Sequence, residues 1–546
     1  MHTPTRRTVL GASIAAAGSG LLAGCSGSDA PSGPGSHPGP AEHHGSEVGG
    51  HDGRPFVPKG PKGYVNPSDP EVLAVERKRD GGPLRSFTLH AVETELDLGG
   101  RTVRSWAYGD ELPGKEVRVT AGDTLGMKLF NHLPVPTTLH SHGIRMRCDM
   151  DGVPGLTQRS VKPGDDFTYR FAVTHPGTYW LHSHSGLQLD RGLYAPLIVE
   201  DPREPLSYDR EWVVVLDDWV DGVSGSNPDG VLAQLVDGKG MRANMDMGEG
   251  DEHEGDTDHG SGHEKPHGPS RVLHKSYSRV LHSEGGSVDY PFYLVNGRLA
   301  HAPSVFRARK GDRIRLRIIN AGAETAFRVA LGGHEMTITH TDGYPVEHTT
   351  TDTLLLGMAE RYDVLITAKD GVFPLVALAE GKNDRALAVL RTSGGDLPGP
   401  SVHPDELDGK LVPARRLVPD DSVALSDDEP DRELRIRLTG GMKKFDWAFD
   451  HQPYDIKQRH PIRQGEKIRL TLMNATDMWH PMHLHGHTFA IVGFGALGAR
   501  KDTAHVVPHH KLVVDFYADN PGLWMLHCHN QYHSESGMMT ILGYRK

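Results

Sequence analysis

The sequence has almost no cysteine: three residues in 546, at positions 25, 148 and 528. No disulfide framework can hold the chain together, and each cysteine must be explained singly. Positive charge is also short, with 59 Lys and Arg against 71 Asp and Glu and a formal charge of −12. That excludes a nucleic-acid binder with a basic footprint. Aromatic residues are few, at 7%. No apolar run reaches the ~20 residues of a membrane-spanning helix. In abundance are glycine (65), proline (38) and, above all, histidine (35). Gly and Pro at this level imply many turns and short strands, hence an all-β chain. Many imidazoles with few thiols point to metal chemistry. The length allows roughly three to five domains.

Residues 1–24 read as an export address, with Arg6-Arg7 followed by a small apolar stretch from Val9 to about Ala23. The arginine pair resembles a twin-arginine signal. Leu22-Ala23-Gly24-Cys25 resembles a lipoprotein cleavage box. On that reading Cys25 becomes the lipidated first residue of a chain held outside the cytoplasmic membrane; otherwise it is incidental to a cleaved signal. Residues 25–70 read as a flexible His/Gly/Pro-rich tether. Its His37, His43, His44 and His51 are either solvated or loose captors of metal.

One pattern then occurs three times: Gly122-Asp123 to Asn131, Gly311-Asp312 to Asn320, and Gly465-Glu466 to Asn474. Each copy runs glycine, acid, an alternating strand, then asparagine, over the same interval. The chain is therefore expected to form three consecutive Greek-key β-sandwiches, at 71–205, 206–400 and 401–546. The second carries an insert at 241–267.

The first and third units share more. His140-Ser-His142-Gly143 matches His483-Leu-His485-Gly486, and His182-Ser183-His184 matches His527-Cys528-His529. In a strand, residues i and i+2 share a face and i+1 takes the other. His527 and His529 should therefore project together, with Cys528 turned away from them. On the cysteine side, His480, Cys528, His533 and Met538 make the His₂Cys set with a weak thioether that suits blue copper. The first unit has Thr137, Ser183 and Gln188 where His480, Cys528 and His533 stand, so only the third should hold such a metal. On the other side, His140, His142, His182, His184, His483, His485, His527 and His529 are too many for one ion and suit a cluster of three between the units.

Through these motifs, residues 70 to 546 resemble three-domain bacterial multicopper oxidases of the laccase-like and copper-resistance group. Leu294-Val-Asn-Gly297 and Ala359-Glu-Arg-Tyr-Asp363 fit the resemblance in the second unit. It implies cupredoxin-like domains and four copper ions, one type 1, one type 2 on His140 and His483, and a type 3 pair on the other six cluster histidines. It implies that a reducing substrate gives electrons near His480 and His533, one imidazole edge reaching the surface. They pass through Cys528 to the cluster, where O₂ is reduced to water. Asp151 resembles the family's acid beside the cluster, and Glu535 is a second candidate relay, although relatives place that acid where Ser534 stands.

Two features bear on substrate. The insert holds Met241, Met245, Met247, His253, His259, His263 and His267 amid acids, either a copper collector or a solvated acidic loop. Asp477-Met478 lies close to where cuprous-oxidase relatives bind Cu⁺, with Met478 as packing the alternative. The expected substrates are phenols, aromatic amines and Cu⁺; the other reading is a copper-sequestering protein with little turnover. No motif bears on oligomeric state, and Cys148 reads as a small buried residue.

Overall fold

The three repeats explain how the chain is built. Each becomes a strand: Thr124–Asn131, Arg313–Asn320 and Lys467–Asn474. The glycine before each strand has φ of +100°, +89° and +90°, a left-handed turn that glycine makes without steric cost. The acid after it ties the turn by accepting from a backbone N–H three residues back, at 3.0, 2.9 and 2.8 Å. The closing asparagine cross-links the loop that follows. Its amide donates to two carbonyls in all three copies, and its oxygen accepts from the backbone N–H two residues on. In each copy the strand runs parallel to the unit's first strand and antiparallel to a later one.

The structure is a computed structural model that describes residues 56–79, 81–237, 268–274, 277–493 and 496–546. The expected signal at 1–24, Cys25, most of the tether and the insert at 241–267 lie outside the described residues. Six sheets form three pairs, of four and four, seven and five, and six and five strands. The chain is thus all-β, as three cupredoxin-like domains in succession. The first pair is drawn from 84–200, the second from 210–391 and the third from 432–544. Each pair closes over alternating apolar residues, such as Leu125, Met127, Leu129, Leu181 and Leu197 in the first.

The end of the expected tether differs. Tyr64 and Val65 are buried, the Val65 N–H donates to the Tyr544 carbonyl at 2.8 Å, and Arg545 covers the Tyr64 ring at 4.1 Å. A large aromatic side chain gains more by covering the last strand than a solvated linker would.

Candidate metal centres

The strand Leu523–Cys528 carries the thiol. Asn530 then caps the short helix Gln531–Glu535, its side-chain oxygen accepting from the Tyr532 and His533 N–H groups at 3.1 and 3.2 Å. That turn swings His533 back over the cysteine. Cys528 Sγ lies 3.6 Å from His480 Nδ1 and 3.7 Å from His533 Nδ1, and those nitrogens are 3.2 Å apart. Met538 is buried, and its carbonyl accepts from the Cys528 N–H at 3.1 Å. Thr476 Oγ1, 2.8 Å from His480 Nε2, leaves His480 Nδ1 facing the sulfur. Burial takes His480 down to about 3 and pushes the Cys528 thiol up. A neutral thiol between neutral imidazoles is the state that a bound cation converts to thiolate, and this donor set suits copper.

Contrary to expectation, neither imidazole reaches the surface: His480 and His533 are both 0% exposed. Trp447 covers them, its ring centroid 4.2 Å from that of His533 and 5.3 Å from that of His480, with Phe445 beside it. In the first domain the three matching positions meet without a ligand set. Thr137 and Ser183 both donate to Gln188 Oε1, at 2.6 and 2.8 Å. Hydrogen bonds fill the space that His480, Cys528 and His533 line in the third.

On the opposite face the two His-x-His pairs meet across the first and third domains. His140 stacks on His485 at 4.1 Å and His142 on His483 at 3.8 Å, a reciprocal arrangement that mirrors the duplication. Register brings the others in, with His140 opposite His182 and His483 opposite His527. His184 and His529 lie just past their strands' ends.

Hydrogen bonding decides which nitrogen each ring offers. The Nδ1–H groups of His140, His182, His483 and His527 donate to the carbonyls of Asp151, Ser183, Asp502 and Cys528 at 2.7–2.9 Å. His485 Nδ1 donates to the Asp151 carboxylate at 3.0 Å. His142 is reversed, with Nε2–H donating to Asp502 Oδ1 at 3.0 Å. Carbonyl and carboxylate oxygens only accept, so the other nitrogen of each neutral ring carries a bare lone pair. Burial, with the neighbouring imidazoles adding, holds His142, His182, His184, His483, His485 and His527 well below the ordinary value and takes His529 to about 3. Buried nitrogens of His140, His142, His182, His184, His483 and His529 have no partner. Each such group costs about 1–3 kcal/mol; a bound metal relieves this. His140, His483 and His485 form one candidate ligand group, and His184, His485 and His527 another.

The two aspartates play matching parts. Asp151, expected from the sequence, is fully buried; its carbonyl holds His140 and its carboxylate His485. Asp502, not expected, holds His483 by its carbonyl and His142 by its carboxylate. Gly152, at φ +85°, makes the Asp151 turn possible, since a Cβ there would collide with the Leu139 carbonyl oxygen. Gly152→Ala should therefore destabilise the protein by about 3 kcal/mol and weaken copper retention, as measured by denaturant unfolding and metal analysis. An unchanged unfolding midpoint would show that the turn is slack.

Other expected residues are placed differently. Glu535 keeps an exposed position; protein packed on its inner side, with Asp229 adding, pushes its carboxyl up to about 7. Ser534 Oγ, not Glu535, comes within 3.5 Å of His527 Nδ1. Met478 is buried in the core, whereas Asp477 is 97% exposed and pairs with His509 at 3.0 Å. Cys148 is buried, its thiol donating to the Leu523 carbonyl at 3.3 Å.

Comparison with known proteins agrees with this geometry. Family models described as multicopper oxidase match residues 91–204, 273–395 and 427–545. The chain is 45% identical over 460 residues to multicopper oxidase MmcO of Mycobacterium tuberculosis, covering 84% of this chain and 86% of the relative. It is 28% identical to copper resistance protein A of Escherichia coli, covering 83% and 91%. Among solved structures, Fet3p, a multicopper oxidase that functions in iron import, superposes with a TM-score of 0.69 at 21% identity, covering 84% and 90%. The laccase of Botrytis aclada gives 0.67 at 24% identity, covering 85% and 88%.

Proposed function

The chain belongs to the multicopper oxidase family, and from that premise we propose how its two centres divide the work. It is a copper-dependent oxidoreductase with oxygen as acceptor. In this reading His480, Cys528, His533 and Met538 hold a type 1 copper. His140 and His483 hold a type 2 copper, and His142, His182, His184, His485, His527 and His529 hold a type 3 pair. One observation carries it: Cys528 faces His480 and His533 while its chain neighbours His527 and His529 stand in the imidazole cluster. Bound copper would supply one-electron redox chemistry at the first centre and four-electron reduction of O₂ to water at the second.

The chain's own residues do the rest. Trp447 and Phe445 exclude water from the thiol. Residues 527–529 would link the two centres covalently. Asp151 accepts the His485 Nδ1–H and is the acid that would exchange protons at the cluster. Glu535 would serve only from the solvent side.

The substrates are phenols and aromatic amines, with Cu⁺ as a further donor. The laccase and copper-resistance names of the relatives support both kinds. Of the expected Cu⁺ pair, only Asp477 is open to an ion arriving from solvent. Sequestration without turnover is not favoured, because storage needs no cysteine joined to a two-domain histidine cluster. Export through Arg6-Arg7 and a lipid on Cys25 belong to the same reading.

The test is oxygen uptake with a phenol and with Cu⁺ on one sample of known copper content. Four electron equivalents should be used per O₂; peroxide accumulating in place of water would overturn the reading. Deleting 241–267 should lower Cu⁺ oxidation more than phenol oxidation. An equal effect on both would make the insert a linker.

A further inference from the structure

Among the described residues the second domain offers the cluster no ligand, yet one of its side chains reaches the residues that orient it. Arg361 starts the strand Arg361–Thr367 and is 0% exposed. Its guanidinium grips Asp502 at two points, NH1 to Oδ1 at 2.7 Å and NH2 to Oδ2 at 2.6 Å. Its Nε donates to the Thr178 carbonyl of the first domain at 3.1 Å, so one side chain touches all three domains. Asp502 Oδ1 is the oxygen that accepts from His142 Nε2. Asp342, also of the second domain, accepts the backbone N–H groups of Asp502 and Thr503, both at 3.2 Å. Lys501 closes the set against Asp342 and Glu360, at 3.1 and 3.2 Å.

The related aspartate lacks these supports. No arginine or lysine pairs with Asp151 among the described residues; it meets only histidines. The cluster is thus nearly two-fold in its imidazoles and unequal in its carboxylates. A fork held at both oxygens cannot rotate, whereas a carboxylate held only by imidazoles can. The consequence falls on His142, one of the rings whose bare nitrogen is Nδ1. Thr503 Oγ1, 3.2 Å from His142 Nε2, itself donates to Asp502 Oδ1 at 2.9 Å, so loosening that carboxylate would free both partners of Nε2 and let the ring turn over to offer its other nitrogen.

We propose that Arg361 is a positioning residue for the cluster: by its two-point grip on Asp502 it fixes the nitrogen that His142 presents to metal. The middle domain, none of whose described residues is a candidate ligand, thereby sets the geometry of the site. This rests on the reading that the cluster holds copper.

The test uses full-length, copper-loaded protein carrying Arg361→Lys, which keeps the charge and loses the fork, and Asp502→Asn. Arg315→Lys is the control, since Arg315 grips Asp363 in an equally buried pair away from the cluster. Both test variants should keep the blue band unchanged and show an altered near-ultraviolet band from the type 3 pair, to which His142 belongs. A chelator should strip their cluster copper with an affinity loss on the order of 10–100-fold, and the control should match the parent. If Asp502→Asn does not fold, Arg361→Lys alone decides. A parental type 3 band and parental chelator resistance in Arg361→Lys would overturn the proposal. So would equal changes in the control, which would make the role merely structural. A parent with no type 3 band would instead sink the copper reading itself.

Discussion

Replacing Cys528 by serine removes the colour of the loaded protein and its turnover together, while leaving the fold and the cluster in place. The sulfur is the soft, polarisable donor on which an intense blue charge-transfer band depends, and a serine oxygen cannot substitute for it. The fold should tolerate the change. The site is fully buried, and His480 Nδ1 and His533 Nδ1 lie 3.6 and 3.7 Å from the sulfur, so a serine oxygen on its shorter bond would pair with one of them only after a small shift. The cost should therefore stay within that of an unsatisfied buried polar group, about 1–3 kcal/mol. His527 and His529 remain on the backbone on either side, so cluster copper should stay bound and its type 2 signal visible. The checks are visible absorption, oxygen uptake and a thermal melt on one preparation. A variant that kept the parental blue spectrum would remove Cys528 from the first centre, and one that kept its turnover would break the link to the second.

What could be read in the residues was what depends on near neighbours. The three repeated strands announce themselves because a left-handed glycine, an acid tying a turn and an asparagine bridging a loop each act within a few residues. The His-x-His pairs and the His-Cys-His run are likewise local, since strand alternation alone separates the two faces. Even the missing centre of the first domain could be expected, because Thr137, Ser183 and Gln188 fall where the candidate ligands stand in the third. Asp502 could not be found this way. Asp151 follows His140 after 11 residues and Asp502 follows His483 after 19, so no shared spacing relates them. The third domain reaches its aspartate through the longer course that ends in the edge strand Thr503–Val506, which pairs with His480–Leu484. A motif comparison sees that as a gap; the hydrogen bonds make the two residues equivalent. The covering of His480 and His533 was hidden for a related reason. Trp447 and Phe445 come from a loop more than 30 residues before His480, and nothing in the ligand motif specifies what packs over it.

His182→Ala should give the opposite pattern to the cysteine variant: the blue colour intact and oxygen uptake lost. His182 stands on the first domain's side of the cluster, at the end of the strand Gly177–His182, and has no contact with Cys528, His480 or His533 among the described residues. Electrons could therefore still reach the first centre and reduce it. The cluster would lack one of its bare nitrogens, and uptake should fall by on the order of 100-fold or more, since loss of a ligand exceeds the 10–100-fold effect of losing a ligand's support. Stability separates this from damage to the fold. In metal-free protein two effects oppose each other. Alanine opens a cavity beside Trp180, whose ring lies 4.4 Å from that of His182. It also deletes a buried nitrogen without a partner. Both are a few kcal/mol at most, so the metal-free melts should nearly coincide. The loaded proteins should differ, because each tenfold loss of affinity removes about 1.4 kcal/mol of metal-linked stability. A variant that melts like the parent when loaded and still consumes oxygen would take His182 out of the cluster. One that melts early even without metal would show that the residue serves the fold before it serves the chemistry.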